Sequence, residues 1–368
     1  MKAKTTAIAA MMVLSAVLAV VAIPSEDAGA APSIDVTDGF GNAFSFSEPV
    51  DSIVSIGVGV TATVIGVGAL DKLVVCDSYS KTNSDPLFDG LRELVSEGKV
   101  AAGGNIYSSG KDQLRNDIIN AADPKTGTFD KEKDVVFVTG SETYRANIVP
   151  YLQEKGFLNI MQWNDIKEYS DLVDFAKVIS MVSTGSISDS IDQMEYTKER
   201  IDFELASSGV QKVKAFYVTY SGGSFKVGNT GSIATSLILA AGGDVVTIDK
   251  EQTASTYVAN LTKLVEDNPG VVIFVDNTIV KDAGHMEDLR KQVGDATLVP
   301  LKAIWNNYCI ESMYGMWAMA CAMYPDLFEG DVPEVPVEES DTMLYVGAAV
   351  VIVAIIAVVA VVFMRRTA

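Results

Sequence analysis

Short apolar runs alternate with segments of helical period along most of this chain, and that alternation limits the possible folds more than any other feature. Residues 52–56, 72–76, 134–139 and 158–161 read as strands, and 61–70, 111–121 and 148–155 read as helices between them. The strand runs are apolar at most positions, as strands covered on both faces are. A β-α-β-α succession predicts a parallel sheet with helices on both sides. The rhythm restarts with a strand at 214–219, helices at 232–241 and 256–267, a strand at 271–276, a helix at 286–293, a strand at 297–301 and a helix at 309–323. Between the two stretches, Leu172, Phe175, Ala176, Ile179, Val182, Ile187, Ile191, Met194, Ile201 and Leu205 recur at helical spacing, with Gly185 as a local weak point. Residues 34–46 alternate apolar and polar around Asp38-Gly39, a β-hairpin pattern. The expected plan is an α/β chain with an N-terminal lobe over 32–165, one long or slightly broken helix over 166–206, and a C-terminal lobe over 207–330.

The chain ends carry other signals. Lys2 and Lys4 precede an apolar run over 7–23, and Ala28-Gly29-Ala30 follows it. A charged start, a short apolar centre and an A-x-A site describe a secretory leader, here 1–31, with an uncleaved anchor as the alternative. Residues 343–364 form a 22-residue apolar run without a charge. That length crosses a hydrocarbon layer of about 30 Å. Arg365 and Arg366 follow it, and arginines stay on the cytoplasmic side. The expectation is a C-terminal transmembrane helix in the cell membrane, an acidic Pro-containing linker over 331–342, a cytoplasmic tail over 365–368, and a body outside the cell.

Charge and residue counts exclude several functions. A net charge of −20 and a pI near 4.4 repel nucleic acid and anionic lipid. Cys76, Cys309 and Cys321 allow at most one disulfide and show no C-x-x-C spacing. His285 is the only histidine, too few for a His-rich metal site, and no G-x-S-x-G elbow is present. No metal site and no catalytic set is expected, so the chain does not read as an enzyme.

One stretch pulls the other way. Residues 53–56 lead into Gly57-Val-Gly59-Val-Thr-Ala62, a permitted form of the dinucleotide fingerprint, and Asp77 lies 20 positions beyond Gly57. Tight strand-to-helix turns favour glycine in any case, and nicotinamide cofactors are cytosolic, so an exported oxidoreductase ranks last among the readings. The stretch 104–112 resembles a phosphate loop but has Asn105 where the first glycine belongs and no Ser or Thr after Lys111. The aromatic residues at predicted strand ends carry more weight: Tyr79, Tyr107, Tyr144, Trp163, Tyr220, Phe225 and Trp305. Open α/β sheets bind ligands beyond the carboxyl ends of their strands. Arg145 and Lys226 share those loops and could meet an anionic ligand. These nine residues form the expected ligand-binding set, with ordinary packing as the alternative for any one ring.

Asp35-Val-Thr-Asp-Gly-Phe-Gly-Asn42, Asp51-Ser-Ile-Val-Ser-Ile-Gly57 and Gly68-Ala-Leu-Asp-Lys-Leu-Val-Val75 resemble the first lobe of class III periplasmic binding proteins. These serve ABC importers of ferric siderophores, haem and cobalamin. Phe225-Lys-Val-Gly-Asn-Thr-Gly-Ser-Ile233, Leu237-Ile-Leu-Ala-Ala-Gly-Gly243, residues 265–275 and Ala320-Cys-Ala-Met-Tyr-Pro-Asp-Leu-Phe328 resemble the second. The resemblance covers about 33–330. It implies two Rossmann-like lobes joined by one rigid helix, with a small-molecule metal chelate, a ferric siderophore or a corrinoid, clasped between them. It implies an ABC permease and its ATPase as partners and no cofactor of the chain's own. It also implies that the glycine turn after Ile56 faces the interlobe cleft. The family's two permease-docking glutamates align with Ala62 and about Ser236, neither acidic, which leaves Asp71, Asp244 or Asp249 as substitutes. A surface receptor or adhesion module on the same fold, without transport, is the alternative function.

Overall fold

The computed structural model describes residues 33–335 apart from Ser108, Asp165 and Lys167. The leader expected over 1–31, the apolar run 343–364 and the tail 365–368 lie outside the described residues. The hairpin opens the fold, with β1 (Ile34–Thr37) antiparallel to β2 (Ala43–Phe46). The Asp38 carboxylate shapes its turn by accepting from the backbone N–H groups of Phe40 and Asn42, both at 2.9 Å. The same carboxylate accepts from the Gln162 N–H at 3.1 Å, which ties the hairpin to the first lobe.

The first sheet contains β3 (Ile53–Ile56), β4 (Leu73–Cys76), β5 (Val135–Thr139) and β6 (Ile160–Trp163), all parallel, in the order β4-β3-β5-β6. From β3 the chain steps to β4 on one side and then crosses to β5 on the other, so a topological switch point lies between the carboxyl ends of β3 and β5. Helix α1 (Val58–Gly66) follows β3, and the short α2 (Ser78–Thr82) follows β4.

The connector corrects an expectation. The one long or slightly broken helix expected over 166–206 is two separate helices, α3 (Tyr169–Thr184) and α4 (Asp189–Ser208), divided at the weak point Gly185. Gly185 ends the first in a left-handed conformation, φ 80°. Ser188 starts the second by accepting from the Ser190 N–H. The pair then fold back on one another. Lys177 on α3 meets Glu195 on α4 at 2.7 Å, and the Tyr169 hydroxyl donates to the Met194 carbonyl at 3.2 Å.

The second sheet runs β10-β8-β7-β11-β12, with β9 on the amino-terminal part of β7. Its strands are β7 (Lys214–Ser221), β8 (Ser224–Gly228), β9 (Asp244–Val245), β10 (Thr256–Tyr257), β11 (Val272–Val275) and β12 (Thr297–Pro300). β8 returns antiparallel to β7 through Gly222 and Gly223, a turn that the strand and helix rhythm did not reveal. The helix expected over 256–267 begins only at Leu261, because the Asn260 side chain caps it by accepting from the Lys263 N–H and Thr256–Tyr257 pairs with β8. Helices α5 (Ile233–Ala240), α6 (Asn277–Val280) and α7 (Ser312–Met323) complete the part used below.

Alternate strand residues explain the apolar runs. Ile53, Val135 and Phe137 join Tyr217, Val272 and Phe274 in one core that runs through both lobes by way of α1, α3, α4 and α7. Val54, Ile56, Val136 and Val138 fill a separate core on the outer face of the first sheet. Phe216, Val218, Ile273 and Val275 do the same for the second.

No helix among the described residues is long and apolar enough to cross a membrane. The longest, α4 with 20 residues, carries Asp192, Lys198, Arg200 and Glu204 along its length. The expected fold class is corrected accordingly: the two lobes and their connector are built without a transmembrane helix. The described residues supply no support for the expected single-span location in the cell membrane, and the run 343–364 that carried it lies outside them.

A candidate ligand cleft between the lobes

The cleft is built from the carboxyl ends of β3, β4 and β5. Gly57, directly after β3, takes φ 120°, a conformation that favours glycine. Its N–H donates to Asp77 Oδ2 at 2.8 Å. Asp77 directly follows β4 and caps α2, its Oδ1 accepting from the Tyr79 N–H at 2.8 Å and the Ser80 N–H at 3.2 Å. The Ser80 hydroxyl adds a bond to Oδ2 at 3.0 Å. Burial raises the Asp77 carboxyl above the ordinary aspartate range, against the pull of these donors.

This arrangement removes the dinucleotide reading. The carboxylate that would hold a ribose is 3% exposed and occupied by its own loop. The amino end of α1, where a pyrophosphate would sit, is covered by the second lobe. A Cβ on Gly59 would stand 2.5 Å from the Tyr308 carbonyl oxygen. The loop between β12 and α7 therefore rests directly on α1, and the glycines serve that close approach.

One wall of the cleft is a row of tyrosines. Tyr79 stands in the first turn of α2, Tyr107 in the loop before the helix Lys111–Ala121, and Tyr144 in the helix Glu142–Arg145 after β5. The Tyr79 and Tyr107 rings meet edge to face at 5.5 Å, and Tyr107 and Tyr144 at 4.5 Å. All three remain unusually open, at 50%, 39% and 38% exposure. Burial and its two neighbours raise the Tyr107 phenol above its ordinary value. Asn307 and Tyr308 of the second lobe form the facing wall, and Asn105, Thr139 and Asn164 contribute polar edges. The enclosed volume is about 460 Å³, within the range of small-molecule sites. A groove of about 550 Å³ lies outside, against α3, α4 and α5, and is lined by Tyr169, Leu239, Glu195 and Glu199. It touches no strand end, so the cleft at the switch point is the better candidate.

Of the nine residues expected to bind ligand, the fold brings Tyr79, Tyr107 and Tyr144 to the cleft. The others are engaged elsewhere. Arg145 is buried, donating from Nε to the Gly140 carbonyl at 2.9 Å and from a terminal nitrogen to Gln162 Oε1 at 3.1 Å, with its guanidinium 4.2 Å from the centre of the Phe40 ring. Trp163 packs in the core, 5.0 Å from Phe175. Tyr220 stacks on His285 at 3.7 Å and meets Phe225 at 5.2 Å, and Lys226 sits beside them on β8. Trp305 lies against Gly315 of α7 with the Lys302 ammonium 5.0 Å from its ring. Asn307 and Tyr308 were missed. The only signal for them was their place two and three residues beyond Trp305, in the loop after a predicted strand.

No family profile and no curated protein matches this chain in sequence. Solved structures do match. CeuE of Helicobacter pylori, described as a nickel–histidine complex, superposes with a TM-score of 0.57 at 15% identity, over 80% of this chain and 90% of that one. A periplasmic haem-binding protein from Pseudomonas aeruginosa gives 0.51 at 15%, over 77% and 96%. The periplasmic vitamin B12-binding protein BtuF of Vibrio cholerae gives 0.51 at 15%, over 75% and 98%. The fold of this chain is that of the periplasmic binding proteins its sequence resembles. The haem- and B12-binding structures are binding proteins by description. They are also described as periplasmic.

Proposed function

We propose that this chain is the substrate-binding protein of an ABC importer, holding a metal chelate in the interlobe cleft for delivery to a permease. The observation that carries the reading is the row of three half-open tyrosines at the switch point, faced by Tyr308 across a cavity of about 460 Å³. Open aromatic faces gain from covering apolar ligand surface, and the few amides around them fix orientation. A ferric siderophore suits this volume better than a corrinoid, which would need the lobes to part. Ala62 and Ser236 are both buried, so neither position presents a side chain for docking. Asp71 and Asp244 are exposed on separate lobes and are the carboxylates we assign to the permease. The test is a titration of the full chain with hydroxamate and catecholate ferric siderophores, haem, cobalamin and cobinamide, followed by intrinsic fluorescence. Saturable quenching at sub-micromolar concentration by one class is the expected result. Silence across the whole panel would overturn the chelate reading.

A further inference from the structure

The charge of the cleft says which chelates it admits, an inference that rests on the binding function proposed above. Among the described residues that line the cleft there is no Lys, Arg or His, and the one carboxylate is Asp77. Arg145 and Lys226, the cations that the sequence offered to an anion, do not line it. Arg145 is held by Gly140, Gln162 and Phe40. What the walls present instead is aromatic faces and side-chain amides. The chain around them carries a net charge of −20.

An anionic chelate would approach against that field and meet no cation among the described lining residues. A cation meets the reverse situation. It is drawn in by the field and can rest against tyrosine faces, whose ring quadrupole attracts positive charge. We infer that the cleft selects its ligand by charge, admitting neutral and cationic chelates, with a cationic arm laid against Tyr79, Tyr107 or Tyr144, and excluding anionic chelates of the same size.

The test varies charge at constant shape. The full chain is titrated with three ferric trihydroxamates that share one linear backbone. One is ferrioxamine B, with its free terminal ammonium; the others are its neutral N-acetyl form and its anionic N-succinyl form. A ferric tris-catecholate with three negative charges completes the set. The expected order is cationic, then neutral, then anionic, with at least tenfold between the first and the last of the trihydroxamates and a contrast that shrinks as salt is added. No binding of the tris-catecholate is expected. If an anionic chelate binds as tightly as the cationic one, charge selection is overturned while the binding function stands. If none of the four binds, charge selection among ferric siderophores is overturned, and the binding function is decided by the haem, cobalamin and cobinamide titrations. A variant, Asn307→Lys, places a cation on the facing wall and is expected to narrow or invert the order. An unchanged order in a folded N307K protein would count against the inference.

Discussion

Gly59 has no space for a side chain, because the Tyr308 carbonyl occupies the place of its Cβ. Gly59→Val should push the second lobe's loop off α1 and hold the cleft open. The expected outcome is a ligand affinity reduced tenfold or more, read by titration, in a protein whose thermal midpoint falls only a few degrees. Asp77 is the other residue on which the cleft floor depends. Asp77→Ala would leave the N–H groups of Gly57, Tyr79 and Ser80 without their acceptor, at a cost of about 3 kcal/mol in chemical denaturation. Asp77→Asn retains an acceptor and should lose about half as much. The cysteines are all free. Cys76 and Cys309 are fully buried, and burial pushes the Cys309 thiol up to about 12 and that of Cys76 higher still. Only Cys321 is partly open. A thiol reagent at pH 8 should therefore modify about one group per native chain and all three after unfolding; rapid reaction of all three in the native state would contradict this burial.

At the scale of elements, most strands and helices were legible because their apolar period matches their burial. The exceptions have local causes. The helical period of the connector runs straight through Gly185, so periodicity alone joins α3 to α4. The break was written in Gly185 and the cap Ser188, both short-range signals that period counting passes over. A substitution gives the two readings opposite signs. In one continuous helix, Gly185→Ala would stabilise by about 1 kcal/mol. In the observed turn it forces a left-handed alanine and sets its Cβ 2.8 Å from Pro49 Cγ. A loss of about 1–2 kcal/mol is expected, lowering the melting temperature by a few degrees. The strand Thr256–Tyr257 was hidden in the same way, by a helical pattern that the Asn260 cap truncates.

For the whole molecule, the two-lobed plan could be read from the sequence, since each sheet must be covered on both faces and only flanking helices do so. The site was only partly readable. Strand-end position led to the region of the candidate cleft, but it could not tell which aromatic rings face it. That depends on contacts between distant segments, such as Arg145 with Phe40, Trp163 with Phe175, and Tyr220 with His285. Tyr308 reaches the first lobe from about 250 residues away in sequence, a distance that no local pattern encodes. The comparison of Tyr107→Ala with Tyr220→Ala tests the placement of the cleft most directly. Ligand affinity of the full chain should fall at least tenfold for Tyr107→Ala and stay within twofold of the parent for Tyr220→Ala. Loss of binding in Tyr220→Ala with Tyr107→Ala unaffected would contradict the cleft described here.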